Sequence, residues 1–588
     1  MFEKEQQNVE KEIMDFCLTR KIPSPAFQWN YIPFSGEWGI SISLFKTAAI
    51  ENQKGENRNV GERAQQLAAM IASGISLPTS FSKIEAVKGY LNIYFSTSSF
   101  ARRVLDSILE EKDNYGRHPA RNEQIMVEFS QPNTHKAFHV GHLRSAILGD
   151  VISRMLDFAG YDVIRANYPG DIGLHVMKWL WNYMKFHSGE KPGEDITKWM
   201  GELYAEANRR LEQDTELEAE VRALYTRWDQ RDEEITRFWK ETREWSLEGF
   251  RQVYGLLDIP FDLYYFPSEV EKAGQSVVES LINNNIATDE RGQGGAVVVK
   301  LDELLGNKKD KYRVLVVLRS DGTALYATED LALAIKKFSD YPKLTRSLYV
   351  VDVRQSLHFT QIFKTLELAG YPWADQCQHI PYELVSLPGN VVMASREGTV
   401  VLLEDLIKEA TSRALAVVEE KNPALTIEEK SKISRAVALG AIKYTMLSRE
   451  NTKVVTFDWE AALDFNGQAA PYIQNAHVRA CSILRNASRD VPQAGEIDFD
   501  LTKQEIELIN LLSRFPDVVR IGADQFKPLD LTNYAYDLSK SFHDFYTHCR
   551  VIQAEEPVRS IRLRMVAAAK QTLSNSLGLM GITAPEAM

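Results

Sequence analysis

The sequence predicts an α/β protein, with a parallel-sheet region interrupted by a helical insertion, a small α+β module before it and an all-α region after it. Three observations carry that reading. From Asn122 onward, short apolar runs alternate with stretches of helical period, as βαβ units do. Beyond Leu403 nearly every stretch has helical period. At 588 residues the chain is too long for a single core.

The first module holds a helix pattern over Glu62 to Ser73, with Ala64, Leu67, Ala68 and Ile71 on one face, and an alternating strand at Tyr90 to Phe95. Ile125 to Ser130 is strand-like, and a loop follows from Gln131 to Phe138. Leu143, Ile147, Val151 and Leu156 then mark a helix ending at Gly160. Val163 to Ala166 completes the βαβ unit. The stretch from Ser188 to Leu256 is helical, highly charged and interleaved with Trp199, Tyr204, Trp228, Trp239 and Trp245, which reads as an insertion. The sheet is expected to resume at Val314 to Leu318 and to continue at Leu348 to Val351, followed by a helix from Phe359 to Leu368. Breakers at Asn422-Pro423, Pro492 and Pro528 divide the helical remainder. These shifts suggest four units: 1–118, 119–402 with an insertion over about 185–310, a connector at 403–465, and 466–588.

Hydrophobic residues make up 44% and charged residues 26%, ordinary for a globular protein and contrary to disorder. No apolar run is long enough to span a membrane, and the charged N-terminus does not resemble a signal peptide. Cys17, Cys377, Cys481 and Cys549 lie far apart, excluding a disulfide scaffold or a clustered zinc site and pointing to a reducing, cytoplasmic setting. The net charge of −12 argues against a nucleic-acid binder on average, yet residues 466–588 carry 13 Lys/Arg against 14 Asp/Glu. A local basic face, built for example from Arg559, Arg562 and Arg564, stays open there, as does a plain solvated helix.

The strongest chemical signal is Lys136-Ala-Phe-His139-Val-Gly141-His142, where a strand passes into a helix. A helix N-terminus offers free N–H groups and partial positive charge to an anion, Gly141 permits close approach, and two imidazoles three positions apart can address one phosphate. The pattern is neither a P-loop nor a dinucleotide fingerprint. Paired histidines can also be half of a zinc site or plain helix caps.

The segment VEFSQPNTHKAFHVGHLRSAILGD resembles the nucleotide-binding signature of class I aminoacyl-tRNA synthetases, in the form typical of arginyl-tRNA synthetases. SDGTALYATEDLALA, DVRQSLHFTQIF, GQAAPYIQNAHVRACSI and LGLMGITAPEAM extend the resemblance in family order to the C-terminus. It implies a Rossmann-like catalytic domain, an N-terminal domain that meets the tRNA D-loop and a helical anticodon-binding domain. The implied reaction joins arginine to ATP, used with Mg²⁺, as an adenylate, and passes the acyl group to the 3′ end of a cognate tRNA. No structural metal is expected, and the implied protein is a monomer free of membranes.

By the same resemblance His139 and His142 stabilise the α-phosphate, with Gly141, His358 and Gln361 near ATP. Met393, Ser395 and Arg396 fall where the family has a Lys-Met-Ser-Lys-Ser loop, here without its second lysine. Lys136 would replace that lysine, and activation would then depend on bound tRNA. Glu128, Asn133, Tyr326, Asp330 and Gln355 match arginine-contacting positions. Tyr326 and Asp330 stand four apart on one helix face, and Glu128 lies near a strand end from which its side chain could leave the sheet. Asn92 and Phe95 match a D-loop contact, and Tyr472, Gln474 and His477 an anticodon-facing block, although Phe95 equally suits a core. The competing readings are a small-molecule adenylyltransferase, which would be much shorter, and a catalytically inactive synthetase-like RNA-binding or regulatory protein.

Overall fold

A computed structural model describes residues 2–52, 59–214, 216–307, 311–387, 391–392, 402–487, 490–492 and 495–588. At the N-terminus, β1 (Asn30–Tyr31), β2 (Gly39–Ser43), β3 (Phe81–Val87) and β4 (Tyr90–Phe95) form an antiparallel sheet in the order β1-β2-β4-β3. The helices beside it are α1 (Glu3–Arg20), α2 (Phe45–Asn52), α3 (Val60–Gly74) and α4 (Thr97–Glu111). Ala64, Leu67, Ala68 and Ile71 are the buried stripe of α3, as their spacing predicts.

The second region opens with β5 (Gln124–Glu128), α5 (Val140–Phe158) and β6 (Asp162–Asn167), a parallel βαβ unit. A helical layer follows: α6 (Leu174–Phe186), α7 (Ile196–Gln213), α8 (Leu217–Asp229) and α9 (Glu233–Leu257). Its core is aromatic, with Trp179, Tyr183, Trp228 and Trp239 buried together, which explains tryptophans in so charged a stretch. The chain rejoins the sheet at β7 (Leu263–Tyr264) and continues into α10 (Pro267–Asn283).

Next, β8 (Thr288–Asp289), β9 (Val297–Lys300) and β10 (Val314–Leu318) form a separate antiparallel sheet, with α11 (Leu301–Leu304) between its last two strands. The expected return of Val314 to Leu318 to the parallel sheet is thus corrected. Leu315 faces Val299 and Val316 faces Val298, and Val314 and Val316 are exposed, whereas an inner parallel strand would be covered on both faces. α12 (Tyr326–Asp340), β11 (Leu344–Asp352), α13 (Ser356–Leu368) and β12 (Cys377–Tyr382) complete the parallel sheet, in the order β12-β11-β5-β6-β7. The strand order reverses between β5 and β11, so a ligand crevice opens at their carboxyl ends.

β13 (Val385–Leu387) pairs with both β14 (Val391–Val392) and β15 (Val455–Thr456), linking this region to the helices α14 (Leu403–Lys421), α15 (Ile427–Leu447) and α16 (Trp459–Ala462). Arg144 of α5 donates to the carbonyls of Glu383, Leu384, Glu450 and Asn451, pinning both ends of the connection to the signature helix. The remainder is α17 (Ala470–Asn486), α18 (Lys503–Asp524), α19 (Pro528–His548) and α20 (Val558–Leu579). These helices also carry the N-terminal module. Tyr115 donates to the Leu512 carbonyl at 2.8 Å, and the Trp38 indole donates to Asn510 at 3.1 Å. Arg564 is fully buried against Asp106 of α4, and Arg562 pairs with buried Glu505. Of the basic face drawn from Arg559, Arg562 and Arg564, the last two are therefore spent on packing, and Arg559 stays at the surface, paired with Glu556.

Candidate active site

The loop from Phe129 to His139 is shaped by stitches to its neighbours. The backbone N–H of Ser130 donates to Ser145 Oγ, which itself donates to the Val350 carbonyl, tying the loop to α5 and β11. Asn133 bridges to Gly170, and Thr134 donates to the Gly170 carbonyl at 2.9 Å through its backbone N–H. Leu402, just beyond residues 393–401, pairs with His139. Met393, Ser395 and Arg396 themselves lie outside the described residues.

His139 is the N-cap of α5. Its Nδ1 accepts from the Gly141 N–H at 3.1 Å, and His142 Nδ1 accepts from the His139 N–H at 3.4 Å. The two rings stack with centroids 3.8 Å apart. A Cβ on Gly141 would sit 2.9 Å from the His139 ring, so the room this glycine provides is used first by the imidazole. Burial, reinforced by the Lys136 charge, holds His139 down to about 4; burial with the His139 and Lys136 charges holds His142 well below its usual range. Both rings are therefore neutral near pH 7. With each Nδ1 accepting a backbone N–H, the proton resides on Nε2, and each ring presents one fixed N–H donor.

Lys136 lies with its ammonium 4.9 Å from the centre of the Tyr204 ring. Helix α7, which carries Tyr204, comes this close because Gly201 has no side chain: a Cβ there would be 2.5 Å from that of Ala137. The sequence reasoning missed His175, in the first turn of α6. Burial and the Lys136 charge press it down to about 3, and its buried Nε2 has no hydrogen-bond partner among the described residues. The signal for it was Gly170-Asp-Ile-Gly173-Leu-His175, a second glycine-bearing turn that opens a helix after a strand.

On the other side of the crevice Asp330 accepts from His358 Nε2 at 2.6 Å, joining α12 to α13. Tyr326 stands one turn earlier and is largely exposed, and Gln355 is exposed just before α13. Glu128 does not leave the sheet as expected. It is buried, paired with Lys337 at 2.5 Å and bonded by Gln131 at 2.7 Å. Tyr168 joins these groups: Asp330, Glu329, Glu128 and Asp171 all act on its buried hydroxyl, which burial first and these charges second push well up. Gln361 is not brought to the pocket. It is buried, and its amide donates to the Tyr312 carbonyl.

Of the residues expected to contact RNA, three are buried. Gln474 is fully buried, donating to the Ala436 and Thr583 carbonyls, and buried His477 bonds the Pro585 carbonyl at 2.8 Å. Both secure the C-terminal tail. Phe95 is likewise core, packed on Phe2, Phe81 and Phe100. Asn92 is partly exposed and accepts from Ser41, and Tyr472 sits half-buried against Tyr536 and His543. The open side of α17 instead borders a cleft of about 680 Å³ lined by Asn475, Arg479, Tyr546, Arg550 and Met588.

Residues 104–459 match the family model described as tRNA synthetases class I (R), catalytic domain, and residues 473–588 match the DALR anticodon binding domain. Similar curated proteins include the arginine–tRNA ligase of Clostridium perfringens, 35% identical over 89% of this chain and 90% of that protein. Another is that of Bdellovibrio bacteriovorus, 35% identical over 88% of this chain and 89% of the relative. Among solved structures, the Thermus thermophilus arginyl-tRNA synthetase aligns with a TM-score of 0.76 at 28% identity, covering 99% of this chain and 100% of that one.

Proposed function

The chain belongs to the class I arginyl-tRNA synthetases, and from that premise we propose how its own residues activate arginine with ATP and pass it to tRNA. A carboxylate oxygen of arginine attacks the α-phosphorus of ATP, the bond to pyrophosphate breaks, and arginyl-adenylate remains. The 3′-terminal ribose hydroxyl of the tRNA then attacks the acyl carbon, and AMP leaves. ATP enters as its magnesium complex, the phosphates supplying ligands to an ion that keeps several waters.

The observation that carries the residue-level reading is the stacked, neutral pair His139 and His142 at the N-terminus of α5. Charge builds on the α-phosphate oxygens as it becomes pentacoordinate. Two preset Nε2–H donors and a helix N-terminus meet that charge without reorganising. Lys136, on the same loop, supplies the full positive charge for the departing pyrophosphate. Arginine is placed across the crevice, its guanidinium toward Asp330 and Tyr326, where a planar five-donor cation needs carboxylate and hydroxyl oxygens. Asn133 and Gln355 border the same crevice, and Glu128, neutralised by Lys337, acts there mainly as an acceptor held in place.

For RNA, the cleft beside α17 with Arg479, Arg550 and Tyr546 fits a splayed single-stranded base better than buried Gln474 or His477 does. All four cysteines are free and buried, in keeping with work in a reducing cytoplasm, and the protein is taken to act as a monomer. Preserved donors at the phosphate site and carboxylates at the arginine site favour an active ligase over an RNA-binding relic. Arginine-dependent pyrophosphate exchange, run with and without tRNA, tests the assignment. No exchange under either condition would reject it.

A further inference from the structure

Four carboxylates act on the hydroxyl of Tyr168: Asp330, Glu329, Glu128 and Asp171. Three of them already have charged or polar partners. Asp330 has His358, Glu128 has Lys337 and Gln131, and Asp171 has Arg243 at 3.0 Å and the Ser268 hydroxyl at 2.6 Å. Glu329 is buried with 9% of its surface exposed, and among the described residues it has neither a hydrogen-bond nor an ion-pair partner. The Tyr168 hydroxyl is buried and unpartnered as well. A largely buried carboxylate without a protein partner, next in sequence to Asp330, and a buried, unpartnered hydroxyl on which both carboxylates act form a receptor that lacks a cationic donor group.

We propose that Glu329 is a guanidinium-binding, specificity-determining residue of the arginine site, with Asp330 beside it and Tyr168 as a further acceptor. This rests on the arginine-activating reading given above. Glu329 is in the first turn of α12, one residue before Asp330. Helix α10 presses against that turn, since a Cβ on Gly274 would lie 2.7 Å from Thr328, and Glu271 shares that face of α10 one turn earlier. Asp171 approaches from the loop after β6, and Tyr225 of α8 feels Glu329 together with Glu271, Asp229 and Arg319. Arg231 and Lys272 act on Glu271, and Arg243 is committed to Asp171. The charges acting on Glu329 itself are Asp330, Glu271 and Asp171, all acidic.

Burial first and those three carboxylates second lift Glu329 to about 7. In the free enzyme near neutral pH it thus holds a proton part of the time. A guanidinium cannot lose its own proton, so its arrival displaces the one on Glu329: the O–H bond breaks, the proton passes to solvent, and the carboxylate accepts two N–H donors. The α-carboxyl group of arginine does not change state between about pH 6 and pH 8, and any loss of its α-amino proton toward pH 8 is common to the wild type and Glu329→Gln.

The test is calorimetric titration of arginine into the full-length chain, in buffers of differing ionisation enthalpy. Near pH 6 the wild type should release close to one proton per arginine, and its affinity should rise about tenfold from about pH 6 to pH 8. Glu329→Gln should release none and lose that slope, with ATP affinity unchanged. Glu271→Gln removes a like charge facing Glu329, so it should keep the step but move its midpoint to lower pH. Undiminished proton release in Glu329→Gln, or an unmoved midpoint in Glu271→Gln, would overturn the proposal. Failure of the wild type to bind arginine even with ATP and tRNA present would instead strike the arginine assignment on which it rests.

Discussion

Lys337 and Glu128 meet at 2.5 Å with side chains 0% and 3% exposed, an ion pair sealed between α12 and the end of β5. The Lys337 ammonium also rests 3.8 Å from the centre of the Tyr349 ring. Two opposite charges taken out of water together cost little net stability, but one left alone costs a great deal. Lys337→Met should therefore destabilise the protein by about 3–5 kcal/mol, read as a lowered melting temperature. Adding Glu128→Gln to that variant should recover most of the loss, because the stranded charge is gone. A double variant as unstable as the single one would mean that Lys337 acts through packing alone.

The paired imidazoles predict a pH profile. Burial, with Lys136 nearby, holds His139 at about 4 and His142 well below its usual range, so neither gains a proton until the solution is acidic. At saturating arginine, the activation rate should show no inflection near the ordinary histidine value of about 6.5. His139→Ala or His142→Ala should each lower that rate by about 10²–10³, the usual loss for one preset donor to a developing charge. An inflection near neutrality that disappears in either variant would show that the ring works as a cation.

The C-terminal helices separate residues that hold the tail from residues left open on a cleft. Gln474 and His477 are locked to the Thr583 and Pro585 carbonyls, so their alanine variants should loosen the tail and weaken all tRNA substrates alike. Arg479 and Arg550 stand open on the cleft, and Arg479 lies over the Tyr546 ring at 5.1 Å. Replacing either arginine with alanine should reduce the salt dependence of tRNA binding by about 0.7 in log–log slope, the share of one phosphate contact to a single strand. Unchanged slopes would place the RNA elsewhere.

What the sequence made legible was mostly local. The turn at His139-Val-Gly141-His142 could be recognised because cap, glycine and both rings fall within four residues of one helix start. The stripe of α3 was legible for the same reason. Contacts made across long chain separations were not. Whether Gln474 faces solvent depends on a tail more than a hundred residues later, and Arg564 is consumed by Asp106 from the opposite end of the chain. Val314 to Leu318 has the composition of an inner parallel strand, and only its pairing with β9 reveals an antiparallel partner. Glu329 offers no pattern at all in the sequence, since its meaning lies in Glu271 and Asp171, which come from other elements.

Lys136 gives the sharpest kinetic test, because two features of its surroundings make opposite demands. Its charge disfavours the protonated forms of the imidazole pair, yet its ammonium is held over the Tyr204 ring of α7. If its charge meets pyrophosphate as the bond to the α-phosphorus breaks, its worth is realised at the barrier. Lys136→Ala should then lower kcat for activation by about 10²–10³ with a smaller change in the ATP KM. Arginine should replace it poorly, being a planar fork in place of a point charge on a flexible stem. Transfer from preformed arginyl-adenylate should be spared, since pyrophosphate has already left. Tyr204→Leu should produce a milder version of the same pattern, as removing the ring costs about 0.5–2 kcal/mol of positioning without removing the charge. Near-normal exchange in Lys136→Ala, or equal damage to activation and transfer, would return this lysine to an ordinary place in the loop.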